Sequence, residues 1–124
     1  MAFTDAEREY LAEARLGRVA TVSKDGDPDV APVGFRIDED RVLIGGLDNA
    51  KTLKYHNVKG TGRAAFVVDD LVSTDPWRPR GLKLHGSAVI VDRGGRPVIE
   101  ITPDTVWSWG INPSAARMEK RAVA

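Results

Sequence analysis

The chain predicts a mainly β protein, with six antiparallel strands, a leading helix and one middle helix. Two observations carry this reading. Apolar residues recur at every second position through most of the chain, the period of a half-buried strand. Short turns rich in Gly, Asp and Pro separate these runs, and such turns join antiparallel neighbours, whereas parallel strands need long crossovers. A sheet of this size hides its apolar face by closing into a barrel or by packing as a sandwich.

The elements follow in order. Thr4 and Glu7 have capping-box spacing, and Asp5 and Glu7 suit the positive end of a helix dipole. Tyr10, Leu11 and Ala14 give this first helix a modest apolar stripe, and Gly17 ends the run. Arg18–Ser23 is a β-branched strand closed by the Asp25-Gly26 turn. After Pro28, Ala31, Val33, Phe35 and Ile37 face one way, while Val30, Gly34 and Arg36 face the other. Asp38–Asp40 turns the chain into Val42–Ile44, which ends at Gly45-Gly46. Lys51–Lys59 is the middle helix, stopped by Gly60.

Strand character returns at Arg63–Val68. Leu71–Arg80 is expected to be a loop, stiffened by Pro76 and Pro79 around Trp77. Leu82 to Val91 alternates as a long strand, Val98–Thr102 is the sixth, and Val106–Ile111 is placed to extend the sheet past Pro103. Residues 1–111 thus form one domain, and 112–124 a tail expected to be frayed or loosely helical after Pro113.

Composition narrows the function. Eighteen basic residues balance eighteen acidic ones, so no excess charge points to a nucleic-acid or membrane partner. With no cysteine there is no disulfide, thiolate nucleophile or cysteine-held metal. The charged start lacks an apolar run of signal-peptide length, and a cytoplasmic location is the default expectation.

Gly45–Lys54 (GGLDNAKTLK) carries the strongest chemical signal. A strand ends in two glycines, and a helix then opens with Lys51 and Thr52. Amides at a helix start lack intrahelical partners and point outward, the dipole favours anions, and Lys51 and Lys54 add charge one turn apart. Many such stretches are merely solvated, lysine-rich helix starts. The glycine pair favours phosphate binding, because it lets a ligand approach the backbone. A nucleotide-binding P-loop does not fit, since Ala50 stands where its second glycine belongs and the surrounding strands are hairpins.

Elsewhere, Trp77 lies between Pro76 and Arg78-Pro79-Arg80, a setting suited to pressing on a partner subunit or a planar ligand. Trp107 and Trp109 share a face of an extended segment. His56 and His85 show no metal-ligand spacing, and no metal is expected. No nucleophile elbow, triad or acid–base pair is visible, so no catalytic residue is assigned and the hard chemistry falls to a cofactor.

Three runs resemble the pyridoxamine 5′-phosphate oxidase-like, FMN-binding split barrels, and within them a small actinobacterial group of the F420-dependent class. They are RLGRVATVSKDGDPDVAPVGF (Arg15 to Phe35), NAKTLKYHNVKGTGRAAFVVDD (Asn49 to Asp70) and DPWRPRGLKLHG (Asp75 to Gly86). The resemblance implies a six-stranded antiparallel split β-barrel, homodimeric, with two equivalent sites between the subunits for the deazaflavin F420 or for FMN. It places the phosphate on Lys54, Thr52 and, nearby, Lys51. Val33 and Gly34 match the strand whose backbone lies along the ring. Trp77, Arg80 and Trp109 match contributions from the second subunit.

Two departures stand out. His56 replaces a common arginine, and Lys59–Gly62 replaces an arginine-rich turn. The substrate-binding C-terminal segment of true pyridoxamine phosphate oxidases has no counterpart here, so their reaction is not expected. The implied function is an F420-dependent oxidoreductase that passes hydride to a small conjugated acceptor. The alternatives are an FMN-binding flavoprotein and a non-enzymatic cofactor-binding protein.

Overall fold

A computed structural model describes residues 1–46, 48–113 and 117–123. The chain runs α1 (Asp5–Glu13), β1 (Gly17–Val22), β2 (Pro28–Val33), β3 (Arg36–Asp38), β4 (Arg41–Ile44), a single 3-10 turn (Asn49–Lys51) and α2 (Leu53–Thr61). It continues as β5 (Arg63–Thr74), β6 (Trp77–Arg93), β7 (Arg96–Trp109) and β8 (Glu119–Ala122). Every strand pairing is antiparallel, in the order β2-β1-β5-β6-β7-β4-β3, with β8 added to β7. This is the mainly β split barrel with two helices that the sequence predicts. No helix among the described residues is long and apolar enough to cross a membrane.

The period-two pattern builds the core. On β6, Leu82, Leu84 and Ala88 are buried, while His85 and Ser87 between them are exposed. Val19, Phe66, Val68, Val42, Ile44, Ile99, Ile101 and Val106 complete the interior from neighbouring strands, and Leu11 enters from α1 and Val58 from α2. Each fully buried Leu or Ile contributes about 1.5–3 kcal/mol through removal of apolar surface from water. Phe35 meets Phe66 edge-on, with centroids 4.9 Å apart. At the register shift between His85 and Gly86, a Cβ on Gly86 would lie 2.2 Å from the Thr102 carbonyl oxygen, so a side chain there would push the two strands apart.

The structure corrects several boundaries. Eight strands replace six, because Gly34-Phe35 separates β2 from β3 and β8 joins the sheet. Leu71–Arg80 is no loop: β5 and β6 stay paired out to Thr74 and Trp77, with a cis Asp75–Pro76 bond between the two strands. Pro79 fits because it faces Leu71 beside a register shift, where the ladder is already interrupted. Pro103 likewise sits at the shift opposite Gly86, so β7 runs through it unbroken. The middle helix starts after Thr52 and continues through Gly60 to Gly62, whose φ of 68° forms the left-handed cap and whose N–H donates to the Val58 carbonyl.

The tail is neither frayed nor helical where it is described. Glu119–Ala122 pairs with Ser108–Thr105 of β7, and residues 114–116 lie outside the described part. Its anchor is Glu7, which has no solvent exposure. Thr4 and Glu7 close the predicted capping box, with Thr4 N–H donating to Glu7 Oε1 at 3.0 Å and Glu7 N–H to Thr4 Oγ1 at 3.1 Å. The carboxylate also accepts from Arg121 of β8 (Nη1 to Oε2, 3.0 Å) and from Asn112 (2.9 Å). Burial raises the pKa of this carboxyl, but the hydrogen bonds from Arg121, Thr4, Asn112 and Ser108 outweigh that and hold it below its ordinary 4.5.

The Glu7–Arg121 pair thus joins the first helix to the last strand. Glu7→Ala is expected to cost about 2–4 kcal/mol in urea denaturation, because it strands a guanidinium and several donors. A carboxyl lowered on folding contributes its stability fully above its unfolded value and loses it as pH falls through the folded one. The wild-type advantage over Glu7→Gln should therefore shrink below about pH 4.5; an advantage independent of pH would contradict this account.

Candidate functional site

The segment between β4 and α2 is held from beneath by Asn49, a buried residue that the sequence reading passed over. Its Nδ2 donates to the carbonyls of Ile44 (3.2 Å) and Pro97 (3.1 Å), tying the 3-10 turn to β4 and β7. Its Oδ1 is buried with no partner among the described residues. An asparagine just ahead of a helix start is the sequence signal that would have found it.

Thr52 caps α2. Its Oγ1 accepts from Tyr55 N–H at 3.3 Å and donates to the Asn49 carbonyl at 2.7 Å. The hydroxyl is therefore engaged in shaping the helix start. The amides of Leu53 and Lys54, the first two of the helix, have no carbonyl to bond within it. Lys51 sits exposed in the 3-10 turn and Lys54 half-buried in the first turn of α2, and neither forms an ion pair among the described residues. Two uncommitted ammonium groups beside two outward amides suit a phosphate.

Beside this segment lies a groove of about 410 Å³, lined by Gly34, Phe35, Arg36, Gly45, Gly46 and Val98 with Leu43. Gly34 and Gly46 have open space where a Cβ would stand, and at Gly45 the nearest atom is a Val98 methyl at 4.0 Å. The floor is therefore bare backbone, which a flat ligand can approach closely. Val33 precedes this groove in the chain but does not line it, and its side chain is in the core.

The third element is the β5–β6 hairpin arm. A cleft of about 560 Å³ opens between Trp77, Arg78, Pro79 and Val72 on the arm and Trp109-Gly110 at the end of β7. Trp77 is 67% exposed. Trp109 lies over Gly81, where a Cβ would come within 2.4 Å of the indole Cζ2 and 2.8 Å of the Val68 carbonyl. Trp107 and Trp109 share the outer face, as expected, and Trp107 is stacked by Lys83 (4.4 Å) and edged by His85 (4.6 Å).

Arg80 is placed apart from this cleft. It binds Asp70 through Nε at 2.8 Å and Nη2 at 3.1 Å, and its guanidinium lies 4.9 Å from the Tyr10 ring centre. Tyr10 donates to the same carboxylate at 2.8 Å. Burial, and then the Asp70 hydrogen bond, push the phenol well above its usual range, while Arg80 holds Asp70 below the carboxylate range. These residues are up to 70 positions apart, which is why no local pattern marked them.

The structure thus brings Gly34 to Gly45-Gly46 and Trp77 to Trp109. The glycine groove and the tryptophan cleft share no lining residue within one chain. No cluster of His, Asp or Glu fit to hold a metal occurs among the described residues.

An antiparallel split barrel with an outward-facing helix start beside a glycine-lined groove is a scaffold able to hold a flat, anionic cofactor. The chain belongs to the pyridoxamine 5′-phosphate oxidase family, which matches residues 3–110. It is 40% identical over 121 residues to a 5a,11a-dehydrotetracycline/5a,11a-dehydrooxytetracycline reductase of Streptomyces rimosus, covering 90% of this chain and 85% of that protein. Among solved structures, a conserved hypothetical protein of Mycobacterium tuberculosis superposes with a TM-score of 0.73 at 19% identity, covering 86% of this chain and 84% of the other. A heme binding protein of Mycobacterium smegmatis gives 0.74 at 17% identity, over 98% of this chain and 59% of the other. These two likenesses establish the fold.

Gly81→Ala tests the packing beneath Trp109. The added methyl meets a backbone carbonyl that cannot yield, so a loss of about 1–3 kcal/mol is expected in urea denaturation. The near-ultraviolet circular dichroism of the tryptophans should change with it. Wild-type stability and spectrum would show that the indole is free to move.

Proposed function

We propose that this chain is an F420-dependent reductase that delivers hydride to a conjugated, ring-based ketone acceptor. The observation that carries the reading is its 40% identity, over 90% of its length, to a reductase whose named substrates are dehydrotetracyclines. The residues at the site agree with it. Bound F420 supplies the hydride, and the protein supplies position and charge.

Lys51, Lys54 and the amides of Leu53 and Lys54 hold the phosphate, with Thr52 keeping the helix start in shape. The Gly34 and Gly45-Gly46 backbone gives the planar ring a surface without side chains in the way. Fixing the ring against a rigid strand edge removes the orientational freedom that a productive encounter would otherwise have to lose.

The working unit we propose is a homodimer in the cytoplasm, with two sites between subunits. The support is that one chain leaves its glycine groove and its tryptophan cleft apart, and that its arm exposes Leu71, Val72 and Trp77. An exposed apolar patch of this kind is typical of an interface with a second copy, which would fill the cleft seen in one chain. Sedimentation velocity is expected to give twice the 13.5 kDa chain mass; a monomer at micromolar concentration would exclude the shared site.

Separate titrations of F420 and FMN, followed by intrinsic tryptophan fluorescence, test the cofactor. Saturable F420 binding is expected, and preference for FMN would move the chain to the flavoprotein reading. Lys54→Ala should weaken F420 about tenfold, the usual worth of one charge-assisted phosphate contact. Unchanged affinity would remove Lys54 from the phosphate site.

A further inference from the structure

We propose that Arg36 selects the cofactor, by binding the ionised ring of F420 in preference to the neutral ring of FMN. The proposal rests on the reductase reading for the identity of the cofactor, and on the groove beside β3 for the selection.

The groove is nearly bare of side-chain chemistry. Gly34, Gly45 and Gly46 offer it backbone, while Phe35, Leu43 and Val98 are apolar. Among the described residues that line it, Arg36 alone is charged, and none is a carboxylate. It opens β3 opposite Leu43 of β4, and it is exposed.

Arg36 is also the basic residue that its neighbourhood leaves unmatched. Arg8 pairs with Asp40 at 2.6 Å, Arg93 with Asp38 at 3.2 Å, and Arg41 with Glu100 at 3.7 Å. Arg93 also reaches Glu100, at 3.5 Å. Glu39, in the turn between β3 and β4, does not line the groove. Arg36 itself has no ion pair among the described residues. With no carboxylate against it, the guanidinium gives the groove a positive potential. Apolar walls weaken the screening of that potential by water.

The two candidate cofactors differ in the charge of the ring. The deazaflavin of F420 carries a ring hydroxyl conjugated with the carbonyls of the pyrimidinedione. Conjugation makes this hydroxyl a far stronger acid than a simple phenol, so the oxidised ring is readily an anion. FMN has a methyl group at the same position, and its oxidised ring is neutral. Both cofactors carry phosphate, so contacts there do not read the ring. The glycine floor does not read it either, because the two ring systems share nearly the same outline. A guanidinium in the groove does, since it attracts a delocalised anion more strongly than a neutral carbonyl.

Oxidised F420 and oxidised FMN, titrated separately by equilibrium dialysis at mildly alkaline pH, test the assignment without any turnover. Arg36→Gln is expected to weaken F420 about tenfold, the order of one charge-assisted contact, and to leave FMN unchanged. Arg36→Lys keeps the charge and should recover most of that loss. Visible absorption of bound F420 gives a second reading, because the ionised and neutral rings absorb at different wavelengths. A tenfold preference for the anion lowers the ionisation midpoint of the bound ring by about one pH unit. The wild-type protein should show this shift, and Arg36→Gln should lose it. Lys51 and Lys54 are present in both proteins, so the difference isolates Arg36. The residue is exposed and outside the core, so urea midpoints should not change.

Unchanged F420 affinity in Arg36→Gln would overturn the proposal and leave the reductase reading standing. Equal losses for F420 and FMN would also overturn it, because Arg36 would then act on what the two cofactors share. A wild-type protein that binds FMN more tightly than F420, or binds neither, would remove both the proposal and the reading.

Discussion

The pairing of β6 with β7 runs from Gly81 opposite Trp109 to Arg93 opposite Arg96, and the rest of the molecule is arranged around it. Two long strands in one ladder give the sheet enough length to twist and close, and each carries a different neighbour on its far side. β6 takes β5 along its length, whereas β7 divides its outer edge between β4 near Ile99–Ile101 and β8 near Thr105–Ser108. The register shift at His85–Gly86 lets the ladder bend where Pro103 cannot donate. The same ladder, carried past the barrel, turns the end of β7 and the start of β6 into the walls of the tryptophan cleft.

Helix and strand ends do the chemical positioning. Asn49 anchors the loop from below, Thr52 shapes the start of α2, and Lys51 and Lys54 form no ion pair among the described residues. At the arm the logic is similar. Asp69 and Asp70 neutralise Arg18 and Arg80, and Arg78 forms no ion pair among the described residues. No cluster of His, Asp or Glu fit to hold a metal occurs among the described residues.

Much of this was legible from the chain. Alternation marked the strands because a half-buried sheet imposes a period of two, and the Thr4–Glu7 box marked α1 because capping is a contact between near neighbours. The glycine pair of Gly45–Lys54 and the helix that follows it were legible for the same local reason. The arm was misread as a loop because Pro76, Pro79 and the acidic pair are turn formers by local preference. Pairing with a partner strand overrode that preference at a point where the ladder already shifts. β8 was missed because Glu119–Ala122 is polar and weakly β-forming. It is a strand by virtue of the β7 edge beside it and the Glu7–Arg121 pair that holds it there.

By itself, then, the sequence determined the mainly β class, the two helices and the family. Each of these is written in periodicity or in residues adjacent along the chain. Tertiary structure decided the eighth strand, the burial of Glu7 against Arg121, the commitment of Arg80 to Asp70 and Tyr10, and the meeting of Trp77 with Trp109 across the end of the β6–β7 ladder. Those contacts join residues tens of positions apart. Their partners are chosen by strand register and barrel closure, which no local pattern encodes.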